Sequence, residues 1–198
     1  MENYLKIVFL SALAFLLGSL PTGLIVAGIK GVDLRHTGSG NIGATNVLRT
    51  TGKGPAVVTL IGDSLKGVAA VLMARYVGGG VLVEGLVGLF AVLGHNYSLF
   101  LKFSGGKGVA TSFGVLAIYS PQMGLFAIII WLMTVLLTRY SSLGALVSFG
   151  LLPLGALVLD SREKVPIFLM MMVLIFIRHR DNIRRIIKGT EPRVGART

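Results

Sequence analysis

Cysteine is absent from the chain, which excludes disulfides, thiol nucleophiles and cysteine-bound metals together. Acids are scarce: 8 Asp and Glu stand against 19 Lys and Arg, with 3 His, in 198 residues. No carboxylate pair, no Ser–His–Asp order and no metal-ligand spacing emerges, so neither a metal nor a cofactor is expected. Charge of either sign is rare at 14%, whereas 54% of residues are hydrophobic and the mean hydropathy is +0.81. Soluble domains are about one quarter charged, so this is the composition of an integral membrane protein. A net charge of +11 would suit nucleic acid, but the basic residues flank apolar runs. Flanking charge of that kind orients membrane helices and attracts anionic lipid or substrate. No nucleic-acid partner is expected.

Apolar runs occupy Tyr4–Ile29, Pro55–Val77, Val81–Leu101, Val109–Thr138, Leu143–Leu159 and Val165–Ile177. Crossing ~30 Å of hydrocarbon takes ~20 residues. The first run is longer than a signal-peptide core and no A-x-A site follows it, so it reads as a retained spanning helix. Val109–Thr138 is too long for one helix, and Pro121 divides it into two short pieces. The first piece is a candidate re-entrant helix whose start lines a site. Residues 1–198 therefore read as a single all-α domain, a polytopic membrane bundle of about seven transmembrane helices, some of them short. With the N-terminus outside, Lys30, Arg35, Arg49, Lys53, Lys102, Lys107, Arg139 and seven basic residues from Arg178 to Arg197 share one face. These fourteen face only four, Lys6, Arg75, Arg162 and Lys164, across the bilayer. The positive-inside rule makes the richer face, and the C-terminus, cytoplasmic.

Three polar blocks interrupt this pattern. In one, Ser104, Gly105, Gly106, Lys107 and Gly108 precede the apolar restart at Val109. A glycine-rich turn lets backbone N–H groups converge, and a helix start adds its positive dipole end. With the charge of Lys107, the combination suits a phosphate; its bland counterpart is a glycine turn with a topological lysine. It is not a nucleotide P-loop, because Leu101 and Gly108 stand where that motif needs Gly and Ser or Thr.

The first block contains Gly38-Ser39-Gly40-Asn41-Ile42-Gly43, a match to GxGxxG, with Asp63 twenty residues on. No strand precedes it and no βαβ unit surrounds it, so a dinucleotide site is rejected. Ser39, Asn41, Thr45, Asn46 and Arg49 still gather hydroxyl, amide and guanidinium groups within eleven residues. A helix over Ala44–Leu48 would put Thr45 and Arg49 on one face. In the third block His179 and Asn182 lie one helical turn apart, and a neutral imidazole can move a proton near neutrality. Arg178, Arg180, Arg184 and Arg185 around them read as orienting surface charge. Ser141 and Ser142, just before the Leu143–Leu159 run, read as helix caps. Asp63 and Lys66, three apart within the membrane, read as a structural ion pair, either of which could also orient Arg49 or a substrate phosphate, and His95 and Asn96 as hydrogen bonds between helices.

The blocks GSGNIGATNVLRTTGK, GHNYSLFLKFSGGKGVAT and HRDNIRRIIKGTE resemble the three motifs of the bacterial acyl-phosphate-dependent glycerol-3-phosphate acyltransferases, the PlsY family. The resemblance implies a multi-pass enzyme of the bacterial cytoplasmic (inner) membrane with its active site facing the cytoplasm. Such an enzyme moves a fatty acyl group from acyl phosphate to the 1-hydroxyl of glycerol 3-phosphate. The products are 1-acylglycerol 3-phosphate (lysophosphatidate) and inorganic phosphate, in phospholipid biosynthesis. By motif position it implies catalytic roles for Ser39, Arg49, Lys107, Ser142, His179 and Asn182. It implies substrate-phosphate contacts for Asn41, Thr45, Asn46, Ser104, Gly105, Gly106 and Gly108, and a structural role for Glu191. A monomer in membrane lipid is implied, without cofactor. The proton acceptor is His179 or an oxygen of a substrate phosphate, and the lack of a carboxylate for His179 in these blocks favours the phosphate.

Two rival classes fit the composition: a transporter for an organic phosphate or other anion, and an enzyme acting on a polyprenyl phosphate. Transporters place polar groups near the midplane, on broken helices in related halves. Here the polar blocks cluster on one face and no internal repeat is visible.

Overall fold

The long first apolar run is the point where local reading and structure part. In the structure, a computed structural model that describes residues 2–195, the run breaks into α1 (Glu2–Ser19) and α2 (Thr22–Gly28). Pro21 has no amide hydrogen to continue the ladder, so carbonyls near the end of α1 lose their helical donors. Unsatisfied carbonyls are costly in lipid, and distant side chains supply the missing donors. Lys66 Nζ donates to the Leu20 carbonyl at 2.5 Å, and Ser98 Oγ to that of Ser19 at 2.5 Å. The same Lys66 pairs with Asp63 at 2.6 Å. The expected intramembrane ion pair is therefore present, and it also seals a helix break.

After a polar loop, α3 (Ala44–Thr51) leads into α4 (Lys53–Tyr76), and α5 (Gly80–Asn96) returns. Pro121 interrupts the fourth run as expected, giving α6 (Val109–Tyr119) and α7 (Pro121–Thr138). The chain closes with α8 (Ser141–Leu159), α9 (Val165–Arg178) and α10 (Arg180–Ile187). Among the described residues five stretches are long and apolar enough to cross a membrane: Tyr4–Gly28, Lys53–Tyr76, Gly80–Leu101, Pro121–Thr138 and Ser141–Leu159. The α6 helix is apolar but shorter, and α9, with 14 residues, is roughly 21 Å long. Of the basic tail, Arg197 lies outside the described residues.

One large core joins α5 through α9 around Leu116, Met123, Phe149, Phe168, Met171 and Ile175, all fully buried or nearly so. A second joins α1, α4 and α5 through Ala14, Ala70, Ala74 and Ala91. Lipid tails are as apolar as leucine, so helix pairing here depends on close packing of small residues. The α4–α6 pair is one such case: a Cβ at Gly114 would fall on the Ser64 carbonyl, and one at Gly67 on the Thr111 carbonyl. This contact sets α6, and hence the loop before it, against α4. Replacing Gly114 by Ala should cost about 1–3 kcal/mol, lowering the melting temperature in detergent. Gly28→Ala, where nothing lies within 4 Å of the new Cβ, should melt like the native protein. Equal melting of the two variants would contradict this packing.

Candidate active site

A cavity of about 730 Å³ opens between the first loop, α3, α4, the loop before α6, α7, α8 and the C-terminal segment. One side is polar, with Ser39, Asn41, Thr45, Arg49, Lys107, Ser142, His179 and Asn182 among its residues. The other is apolar, through Leu60, Phe113, Ile128, Trp131, Leu132 and Ala145. Leu60, Ile128 and Leu132 are also exposed on the outer surface of the bundle. The cavity thus runs from a polar end to the face that meets lipid.

Glu191 is the hub of the polar side. Its Oε1 accepts from Ser142 Oγ at 2.6 Å and from Asn182 Nδ2 at 2.6 Å, and its Oε2 from Arg185 Nε at 2.7 Å. Burial alone would raise the Glu191 pKa, but these three donors outweigh it and hold the carboxyl below its ordinary value. Ser142 is therefore held by a carboxylate rather than serving as a helix cap, and Ser141 Oγ instead meets Thr45 Oγ1 at 3.3 Å. The chain of bonds continues outward, with Lys107 Nζ donating to Asn182 Oδ1 at 2.5 Å. Burial, with Arg185 and Arg178 nearby, brings Lys107 down to about 8 despite the opposing pull of Glu191.

His179 sits at the kink between α9 and α10 and is 2% exposed. Its Nδ1 lies 2.8 Å from the Ile175 carbonyl. A carbonyl can only accept, so Nδ1 carries the proton and Nε2 is left as an acceptor. Burial, and then the Lys107 charge, push its pKa down to about 4, so the ring is neutral at physiological pH.

In the first block, α3 places Thr45 and Arg49 four residues apart, and both line the cavity. The Arg49 guanidinium has no hydrogen bond or ion pair with another described residue. Asn46 is different, because its amide is spent inside the loop. Its Oδ1 accepts the Ser39 amide at 2.9 Å and its Nδ2 donates to the Thr37 carbonyl at 3.0 Å. Asn46 thus shapes the turn that presents Ser39.

The glycine loop departs from the amide cradle expected of it. The amides of Ser104, Gly105 and Gly106 donate to the Leu101, Asn96 and His95 carbonyls at 3.0, 3.2 and 3.0 Å. None of these three residues lines the cavity, whereas Lys107 and Gly108 do. Gly105 and Gly106 are needed for close approach, since a Cβ on either would strike His95. A second, more polar chamber of about 390 Å³ touches Gly105 and shares Ser39, Asn41, Lys107, Asn182 and Arg185 with the first.

His95 and Asn96 occupy the last turn of α5 and hold this loop by their main-chain carbonyls. The interhelix hydrogen bond expected of the Asn96 side chain does not form, whereas the His95 ring does face a polar partner on α4. The Asn96 amide has no partner among the described residues, and His95 Nδ1 lies 3.6 Å from Asp63 Oδ1. Asp63 and His95 nevertheless line the cavity; the sequence left that open for Asp63, and nothing in the spacing announced it for His95. Among the described residues no group of three His, Asp or Glu side chains is assembled to hold a metal ion.

This arrangement coincides with a family match. The model of the glycerol-3-phosphate acyltransferase family matches residues 8–189. The chain belongs to this family. The glycerol-3-phosphate acyltransferase of Geobacter sulfurreducens is 47% identical over 188 residues, covering 94% of this chain and 97% of that one. That of Thermus thermophilus is 52% identical over 188 residues, covering 93% and 94%. Among solved structures, the integral membrane glycerol 3-phosphate acyltransferase PlsY (YgiH) in its glycerol 3-phosphate form superposes with a TM-score of 0.90 at 41% identity, over 96% of each chain. Its lysophosphatidic acid form gives 0.88 at 40% identity, over 95% of each.

Within this acyltransferase fold, losing Glu191 would leave Arg185 without its anion and free Ser142 and Asn182. Glu191→Ala should destabilise the protein by about 3 kcal/mol, read as a lowered midpoint in thermal unfolding in detergent. A native midpoint would mean that the carboxylate is not the hub described.

Proposed function

We propose that this acyltransferase moves a fatty acyl group from acyl phosphate to the 1-hydroxyl of glycerol 3-phosphate. It would act in the cytoplasmic (inner) membrane, with the polar end of the cavity facing the cytoplasm. The observation that carries this reading is the two-sided cavity: cations and hydroxyls at one end, an apolar wall reaching lipid at the other. That shape suits a reactant with a phosphate head and an acyl tail. With the five long apolar stretches, α6 and α9 taken as seven crossings, the positive-inside rule favours an outside N-terminus with the three polar blocks inside.

In this reading Lys107 and Arg49 bind the two phosphates, with Thr45, Asn41 and Gly108 beside them. Ser39 and Ser142 orient the reacting groups, while Asn46, Ser104, Gly105 and Gly106 hold the loops in shape. The glycerol hydroxyl attacks the acyl carbonyl carbon, an ester C–O bond forms, and the bond from carbonyl carbon to phosphate oxygen breaks. The hydroxyl proton leaves with inorganic phosphate. Acyl phosphate is already activated, so alignment and stabilisation of the developing negative charge supply the acceleration. A phosphate with a second pKa of about 6 is a better base than an imidazole at about 4. Substrate phosphate therefore takes the proton, and His179 Nε2 helps to orient the hydroxyl.

Purified protein in detergent should release phosphate only when both acyl phosphate and glycerol 3-phosphate are present; release from acyl phosphate alone, or none, would refute acyl transfer. In the same assay Lys107→Ala should lose on the order of 10²-fold or more in kcat/KM while staying folded. Arg49→Lys should also be poorly tolerated, because an ammonium cannot replace a bidentate guanidinium. Near-native kinetics in either variant would remove that residue's role.

The pH profile separates the two proton acceptors. Lys107 loses its charge as pH rises, so kcat/KM should fall through about 8 on the alkaline side. His179→Gln should leave the acid side of the profile in place and keep a substantial kcat. A large fall in kcat together with loss of the acid limb of the profile would assign the proton to His179 instead.

A further inference from the structure

Arg178 is the last residue of α9, and sequence spacing makes it one more orienting charge. The structure puts it to other use. Its Nε donates to the Gly106 carbonyl at 2.9 Å and its Nη2 to the Gly105 carbonyl at 2.8 Å. Its guanidinium carbon lies 5.1 Å from the centre of the Tyr97 ring, within cation–π range. The amides of the same two glycines are bonded to the His95 and Asn96 carbonyls. The loop is therefore gripped on one side by the end of α5 and on the other by Arg178.

Neither glycine has a side chain through which the loop could be anchored, and both stand immediately before Lys107. On the other partner, His179 follows Arg178 directly and Asn182 lies one turn further on. The Lys107–Asn182 bond of 2.5 Å crosses between the same two segments. A planar fork with fixed donor directions can span two adjacent carbonyls, whereas a single ammonium cannot fix their relative position.

We propose that Arg178 is a positioning residue: it ties the glycine loop to the α9–α10 junction and so sets where Lys107 meets substrate phosphate. It acts through Lys107 and does not itself react. The proposal rests on the reading of Lys107 as a phosphate ligand. Misplacing a binding group by about 1 Å costs on the order of 10²-fold in rate, and that is the scale expected here.

The test compares native protein with Arg178→Gln and Arg178→Lys in the coupled assay, with melting temperature and a pH profile for each. Both variants should fold and lose on the order of 10²-fold in kcat/KM, chiefly in kcat, and the lysine should not rescue. The charged and titratable groups facing Lys107 are Glu191, Arg185, Arg178 and Asp181, together with His179, whose ring is neutral at physiological pH. Removing the Arg178 charge in the glutamine variant should therefore move the alkaline limb upward from about 8, while the lysine variant keeps it in place. A purely structural role would lower melting without moving that limb. Native kinetics in either variant, or rescue by lysine, overturns the proposal. If Arg178→Gln fails to fold, Arg178→Lys decides; if neither folds, Arg178 is a folding residue and the proposal also falls. An inactive native protein would instead refute the acyl-transfer reading, so the two failures are distinguishable.

Discussion

A carboxylate holding three donors, and through one of them a lysine, is the interaction on which the polar end of this molecule depends. Cations gathered at one end of a cavity repel one another when nothing separates them, and burial raises the cost of each charge. Glu191 answers both problems. Its two oxygens fasten Ser142 on α8 and Asn182 and Arg185 on α10, and Asn182 passes the constraint to Lys107. Glu191 thus offsets only part of the positive charge gathered there while setting where its donors stand. Chains of hydrogen bonds of this kind stiffen one another in a low-dielectric setting.

The membrane supplies the second constraint. Backbone groups cannot be left unpaired in hydrocarbon, yet a surface that handles polar reactants needs interrupted helices. The molecule reconciles these demands by giving each interruption its own hydrogen-bond partner. The break at Pro21 is closed by Lys66 and Ser98. The turn after α5 is closed by main-chain bonds to His95 and Asn96 and by Arg178. The kink at His179 is closed by the bond from its own ring to Ile175. In each case a polar side chain or peptide group that looks costly in isolation completes the hydrogen bonding of another segment.

This also explains how much could be read from the chain alone. Runs of apolar residues marked the membrane helices, Pro121 marked the division of the fourth run, and the 3.6-residue period put Thr45 and Arg49 on one helical face. Those are local facts. The break at Pro21 was missed because its stability depends on Lys66, far away in sequence. The amide cradle expected of Ser104 to Gly106 was a fair local inference, but the donors face inward to carbonyls of the preceding turn. Arg178 and Arg185 were indistinguishable from exposed neighbours such as Arg184 until their partners, two glycine carbonyls and Glu191, were in place. Residues of all three motifs line one cavity; which side chain touches it and which only braces it is decided by packing between blocks.

The central claim is that cations from separate blocks converge on one cavity that also has a lipid-facing apolar wall. A crystal structure with glycerol 3-phosphate and a hydrolysis-resistant acyl phosphonate tests it most directly. The account predicts the phosphonate within hydrogen-bonding reach of Lys107, with its tail along Phe113, Ile128 and Leu132. A phosphonate bound elsewhere, with Lys107 still committed to Asn182 and the apolar wall bare, would contradict it.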